Sequence, residues 1–204
     1  MSEASIAVVI PTIPGREQLL ERALTSVNRQ FRMADQVVVE YDQERTGAAA
    51  TRNRALARVK TDLVAWLDDD DELKRNHLGA LEHAIHGFDL AYSTPVMVGG
   101  KDPTALTVRG VWRKPWGVAF GQEQEKHLRE LGSFIPITHM VRTEAARRAG
   151  GFPEGRTLDD GRFQGEDERY LIALLDAGAR FTHINVPTWR WHVHQAHTAG
   201  KGAA

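Results

Sequence analysis

Four consecutive aspartates, Asp68 to Asp71, follow a short apolar run, Leu63-Val64-Ala65-Trp66-Leu67. Carboxylates this close repel one another, which opposes folding unless a cation or hydrogen-bond donors offset the charge. Hard divalent cations such as Mg²⁺ take oxygen ligands, commonly one or two carboxylates together with substrate phosphates. A departing diphosphate needs such positive charge as the bond to it breaks. The plainer alternative is a solvated acidic turn, in which Asp71 caps a helix beginning near Leu73 or pairs with a nearby basic residue.

A second acidic stretch, Glu166-Asp167-Glu168, opens an amphipathic run carrying Tyr170, Leu171, Leu174 and Leu175. Anions at a helix start are favoured by the dipole whatever else they do, and for Glu166 and Glu168 that explanation is enough. His192, His194 and His197 crowd the C-terminal segment. On an extended chain His192 and His194 would present both rings to one face, a geometry able to hold a metal. A zinc hydrolase built on them lacks a His-Glu-x-x-His helix and leaves the aspartates unexplained. His77, His83 and His86 share one helical stretch and read as packing or surface residues. Between residues 101 and 120, Trp112 and Trp116 lie among Arg109, Arg113 and Lys114. Aromatics beside cations suit stacking on a sugar, a base or a peptide, and Trp112 suits a core edge equally well.

The elements that must position these groups are legible in the first third. Ile6 to Ile10, Val37 to Val39 and Leu63 to Leu67 are apolar runs with little polar alternation, as in strands buried on both faces of a parallel sheet. Helical spacing of apolar residues links them over Gly15–Gln30 and Gly47–Lys60. Strand, helix, strand, helix, strand predicts a doubly wound α/β sheet, mostly parallel, with helices on both faces. Ligands bind beyond the carboxyl ends of such strands. That rule puts Pro11–Pro14, Glu40–Asp42 and Asp68–Asp71 along one edge. Further on, the pattern predicts a helix over 74–86, a strand at 89–92, an antiparallel strand at 107–112 and a helix or loop at 121–131. A strand at 137–141, a short helix ending at Gly150-Gly151, a helix over 166–177 and a strand at 181–186 complete the reading.

With 204 residues, 42% hydrophobic and 26% charged, the chain suits one soluble globular domain. Twenty-six basic against 27 acidic residues, net charge -1, removes the electrostatic case for general nucleic-acid binding. The absence of cysteine excludes disulfides, thiolate nucleophiles and cysteine-ligated zinc. No basic, apolar leader opens the sequence and no apolar run approaches the roughly 20 residues of a spanning helix, so a soluble, cytoplasmic protein is expected. Residues 1–204 are read as a single domain, with a first half at 1–100, a second at 101–190 and a flexible tail at 191–204.

Five segments in order resemble the family 2 glycosyltransferases, which have the GT-A fold. They are Val8–Pro14, Gly47–Leu56, Ala65–Leu73, Gly150-Gly151-Phe152 and Gly165-Glu166-Asp167, and Trp189-Arg190-Trp191-His192 is similar to the family's closing segment. The resemblance implies a GT-A-type, Rossmann-like mixed sheet and transfer of a sugar from a nucleoside-diphosphate sugar, UDP-linked, with Mn²⁺ or Mg²⁺. It also implies that 1–100 is a nucleotide-sugar half, 101–190 an acceptor-side half and 191–204 a tail whose start closes on the site. Pro11 and Thr12 would begin the nucleotide pocket. Asp42, with Glu40 second, would read the base, and Arg52 would pack against the nucleotide or pair with the acidic cluster. Asp68 and Asp70 match the family's DxD motif: Asp70 would bind the metal and Asp68 the ribose or a metal-bound water, with Asp69 in the donor-binding set. Asp167 matches the catalytic base of inverting members, and His192 fits a late metal-completing position. The acceptor is left open among a glycan, a protein, a lipid carrier and a modified nucleic acid. A nucleotidyltransferase, or a non-catalytic nucleotide-sugar or glycan-binding module, are the rival readings.

Overall fold

The computed structural model describes residues 3–99, 106–108, 111–113, 119–154 and 165–193. The expectations for Arg109, Lys114, Trp116, His194 and His197, and for the side chains of Trp112 and Arg113, fall outside what is described.

Strands β1 (Ile6–Thr12), β2 (Gln36–Tyr41) and β3 (Leu63–Trp66) alternate with helices α1 (Glu17–Val27) and α2 (Ala48–Arg58). β1 pairs parallel with both β2 and β3, so the anticipated βαβαβ unit is present. The strand side chains sort by parity. Ala7, Val9, Val64 and Trp66 pack on one face with Ala55 and Leu56 of α2. Ile6, Val8, Ile10, Leu63 and Ala65 pack on the other with Leu20, Ala23 and Val27 of α1. Successive residues of a strand point to opposite faces, so a strand covered on both sides must be apolar throughout.

After β3 come β4 (Glu72–Leu73), α3 (His77–Ala84) and β5 (Leu90–Val98). A separate two-stranded antiparallel hairpin joins β6 (Leu106–Val108) to β7 (Val111–Arg113), where one antiparallel strand was expected. α4 (Gln122–Leu131), β8 (His139–Arg142), α5 (Thr143–Arg148), α6 (Glu166–Asp176) and β9 (Phe181–His192) follow. The region at 121–131 is therefore helix, not loop. The seven-stranded sheet has the order β2-β1-β3-β8-β5-β9-β4.

Two expectations need correcting. The sheet is mixed rather than mostly parallel, because β8 runs antiparallel to both β3 and β5, and β4 antiparallel to β9. These pairings join residues far apart in sequence, which local patterning does not encode. The helix expected from Lys74 begins at His77, and Asp71 caps nothing: it precedes β4. His77 is instead a buried core residue whose Nδ1 lies 2.7 Å from Thr188 Oγ1. Burial pushes its imidazole down to about 3, so it stays neutral.

β9 is twice as long as the strand expected at 181–186. Its pairing with β5 slips between Ser93 and Pro95, which carries the strand past the end of β8 to pair with β4. Trp191 and His192, expected in the tail, thereby sit in the sheet beside the aspartates. Among the described residues no helix is long and apolar enough to cross a membrane.

Candidate active site

The carboxyl ends of β1, β2 and β3 bring Thr12, Asp42 and Asp68 to one edge of the sheet. Asp42 N donates to Thr12 O at 2.8 Å, closing the β1–β2 ladder there. Asp42 itself is buried and clips its own loop: Oδ1 accepts from Thr46 N and Oγ1, and Oδ2 from Gly47 N, each at 2.8 Å. Burial raises its carboxyl, but the Gly47 and Thr46 donors outweigh that and hold it below the usual range. Glu40 pairs with Arg54 at 3.0 Å and Arg58 at 2.6 Å. Both acids expected to read a base are thus engaged by protein donors.

The four aspartates divide their work. Asp69 Oδ2 accepts from Thr12 Oγ1 at 2.5 Å, and Asp69 Oδ1 lies 3.0 Å from Arg16. Burial lifts the Asp69 carboxyl to about 6 despite those partners. Asp70 Oδ2 is 2.5 Å from Arg16 Nη2, and the Asp70 carbonyl accepts from Arg22 at 2.5 Å. Asp71 is almost wholly buried, and its Oδ1 accepts from His192 N at 2.9 Å. Burial first, then the neighbouring Asp68 charge, pushes its carboxyl to about 9. Asp68, Asp70 and Asp71 each offer a carboxylate oxygen, and these oxygens lie within 4.8 Å of one another.

That donor set fits a hard divalent cation: oxygen atoms only, and converging. His192 is adjacent but is not part of the set. Its ring Nε2 lies 2.8 Å from Glu72 Oε2, while its backbone N–H orients Asp71. Asp71, expected only as a cap or a salt-bridge partner, has a carboxylate oxygen that converges with those of Asp68 and Asp70.

Arg52 ties this edge to the second half of the chain. Only 5% exposed, it donates to Asp68 Oδ1 and to Glu166 Oε1, each at 2.8 Å, with its guanidinium 5.4 Å from the centre of the Phe152 ring. Of the two expectations for Arg52, pairing with the acidic cluster is the one observed. Next to it on α2, Asn53 donates to Phe152 O at 2.8 Å and accepts from Phe152 N at 2.7 Å, as a strand neighbour would. Gly151 has φ +75° at this contact, and a Cβ there would lie 2.5 Å from Asn53 Oδ1. Gly151→Ala therefore combines a left-handed backbone with a clash and is expected to cost about 1–3 kcal/mol. A thermal melt lowered by several degrees checks it; an unchanged melt would contradict it.

Asp167 sits in the first turn of α6, its Oδ1 accepting from Glu168 N at 2.8 Å. Burial, then the Glu166 charge, raises its carboxyl. A cleft of about 140 Å³ is lined by Asp68, Asp71 and Asp167 together with Phe134, Trp189 and Trp191. The two indoles stack with centroids 5.9 Å apart. The structure thus gathers Asp68, Asp71, Asp167, Trp189 and Trp191 in one cleft, with Asp69 and Asp70 next to it in the acidic loop. Pro11 is in β1 beside Thr12, opposite Glu40 in the ladder. Arg16 and Asp71 are the members that sequence reasoning missed as site residues. The only signal for Arg16 was its being the single cation in the loop after β1.

A mixed α/β sheet with Thr12, Asp42 and Asp68 at the ends of β1, β2 and β3 and a long returning C-terminal strand is a GT-A-type architecture. The sequence model of Glycosyl transferase family 2 matches residues 32–150, and the chain belongs to that family. The pre-mycofactocin glycosyltransferase of Mycobacterium tuberculosis is 31% identical over 142 residues, 67% of this chain. The match covers only 28% of that relative's length. Among solved structures, Staphylococcus aureus TarS 1-349 in complex with UDP-GlcNAc superposes with a TM-score of 0.72 at 17% identity, covering 94% of this chain and 59% of that one. A Pyrobaculum calidifontis mannosyltransferase in complex with GDP-Man and Mn²⁺ gives 0.57 at 16% identity, covering 92% and 56%. At such identities the structural likeness speaks to the fold.

Proposed function

We propose that this chain transfers a sugar from a nucleoside-diphosphate sugar, UDP-linked, to an acceptor hydroxyl, with a divalent cation and with inversion. The observation that carries the reading is the convergence of the Asp68, Asp70 and Asp71 carboxylates, two of which, Asp68 and Asp71, line one cleft with Asp167. Family membership and the nucleotide-sugar complexes of the TarS and mannosyltransferase structures support it.

Asp70, Asp68 and Asp71 would hold Mn²⁺ or Mg²⁺, whose charge supports the departing diphosphate. The chain's own residues do the rest. Thr12 fixes Asp69 and so the course of the acidic loop. Arg52 holds Asp68 in place and anchors Glu166, keeping the start of α6 against the same cleft. Asp167 accepts the acceptor's hydroxyl proton, because a neutral hydroxyl attacks poorly until a positioned base withdraws it. Attack from the face opposite the diphosphate then inverts the anomeric carbon. Trp189 and Trp191 give the sugar an apolar wall. His192 serves through its backbone, orienting Asp71, and its ring steadies Glu72.

A panel of UDP- and GDP-sugars incubated with Mn²⁺ should release nucleoside diphosphate from a UDP-linked member, slowly to water and faster when an acceptor is supplied. Pyrophosphate release from a nucleoside triphosphate and a sugar phosphate would instead establish the nucleotidyltransferase reading. Binding without turnover would leave a non-catalytic module, and absence of both would overturn the transferase reading.

A further inference from the structure

A second, larger groove of about 770 Å³ lies outside the carboxylate cleft, between α1 and the segment around β4. One wall is a polar stripe of α1 and its C-terminal end, with Gln18, Arg22, Thr25 and Arg29 at the three- and four-residue spacing that puts side chains on one helix face. The other wall presents Lys74, Arg75 and, from β9, Arg190. Five cations therefore line the groove against two acids, Glu21 and Glu72, on a chain whose net charge is -1. Glu72 is already engaged by His192.

The groove is a fixed feature. Leu73 N donates to Ser26 Oγ at 3.0 Å, Gln30 Nε2 to Lys74 O at 2.9 Å, and Phe31 N to Arg75 O at 2.8 Å, so both walls are laced together along the floor. Arg75 is held at the rim with its guanidinium 4.8 Å from the centre of the Phe31 ring, and it donates to Arg29 O. Phe31 is 73% exposed, which an isolated apolar ring tolerates when it serves as a platform for a cation. Arg22 Nε is buried with no acceptor among the described residues. Arg22 also reaches the Asp70 carbonyl, so the groove ends against the back of the acidic loop.

We propose that this groove binds the phosphate groups of a phosphate-bearing acceptor, as a subsite separate from the donor cleft; the word acceptor rests on the transferase reading above, the phosphate site does not. Arginine guanidinia in series suit successive phosphates, which they meet through two parallel N–H donors each. An extended polyanion spans several of these cations at once, whereas a single phosphate meets one or two.

Inorganic tripolyphosphate and inorganic orthophosphate, each titrated calorimetrically into the intact chain with chelator present, test the site without metal at the carboxylates. Tripolyphosphate is expected to bind at least about ten-fold more tightly than orthophosphate, and to weaken as salt rises. The combined variant Arg29→Gln, Lys74→Gln, Arg75→Gln should lose at least about ten-fold of that affinity while keeping its melting temperature. Failure of the wild type to bind tripolyphosphate, equal affinity for the two anions, or full affinity in the variant would each overturn the proposal. UDP titrated with Mn²⁺ into the same two proteins is read separately. Its loss in the wild type would sink the donor reading and leave the phosphate site standing, and equal UDP binding by both proteins is expected if the subsites are distinct.

Discussion

Replacing Asp167 by asparagine is expected to lower kcat by about 10²–10⁴-fold, the usual worth of a positioned general base, while donor affinity stays within about two-fold. Asparagine keeps the size of the side chain and can still accept from Glu168 N, so the N-terminal turn of α6 should survive the change. The loss would then report the missing proton acceptor rather than a displaced helix. The pH profile supplies a second reading. Burial, reinforced by Glu166, raises the Asp167 carboxyl above the ordinary aspartate range. A base works only when deprotonated, so kcat should fall as pH drops through that raised value and be constant above it. The acid limb should vanish in the residual activity of the variant. Wild-type turnover in Asp167→Asn would remove Asp167 from the mechanism and, with it, the argument for inversion.

Arg52→Met is expected to have the largest effect on stability. The guanidinium is buried between Asp68 and Glu166, and removing one member of a buried ion-pair set leaves the others uncompensated, typically at about 3–5 kcal/mol. Asp68 and Glu166 each keep 34% of the side chain exposed, so water relieves part of that penalty and the low end, about 3 kcal/mol, is expected. For a chain of this size that lowers the melting temperature by about 6–12 °C. Activity should fall further than folding alone explains, since Asp68 and the start of α6 lose their common tether. Arg52→Lys keeps the charge but offers no fork, and should sit between the two in both measurements. A melt within about 1 °C of wild type for Arg52→Met would show that the bridge contributes little.

The parts of the molecule legible in sequence are those that local pattern decides. β1 reads as a double-sided buried strand because Ile6 to Ile10 are all apolar, and each of these residues is fully buried. α6 starts at Glu166 as its acidic first turn and Leu171–Leu174 spacing indicate. The acidic loop, Asp167 and the Trp-Arg-Trp-His segment stand out by residue type and order alone. What stayed hidden depends on distant partners. Nothing near Asp71 reveals that its carboxylate is oriented by the backbone of His192, 121 residues further on. The bulged pairing of β9 with β5, which carries Trp191 to the cleft, has no local signature, and neither does the antiparallel insertion of β8. Asp42 shows the converse. Its place after β2 is as expected, yet Thr46 and Gly47 occupy its oxygens, a use that residue type alone does not disclose.

Calorimetric titration of UDP into the wild-type chain, once with Mn²⁺ and once with a chelator, tests the central claim most directly. Saturable binding with Mn²⁺ that disappears with the chelator is predicted, because the diphosphate would otherwise face the carboxylates of Asp68, Asp70 and Asp71 with no cation between them. No binding in Mn²⁺, or the same affinity in the chelator, would contradict a metal-dependent nucleotide-sugar site at the acidic loop.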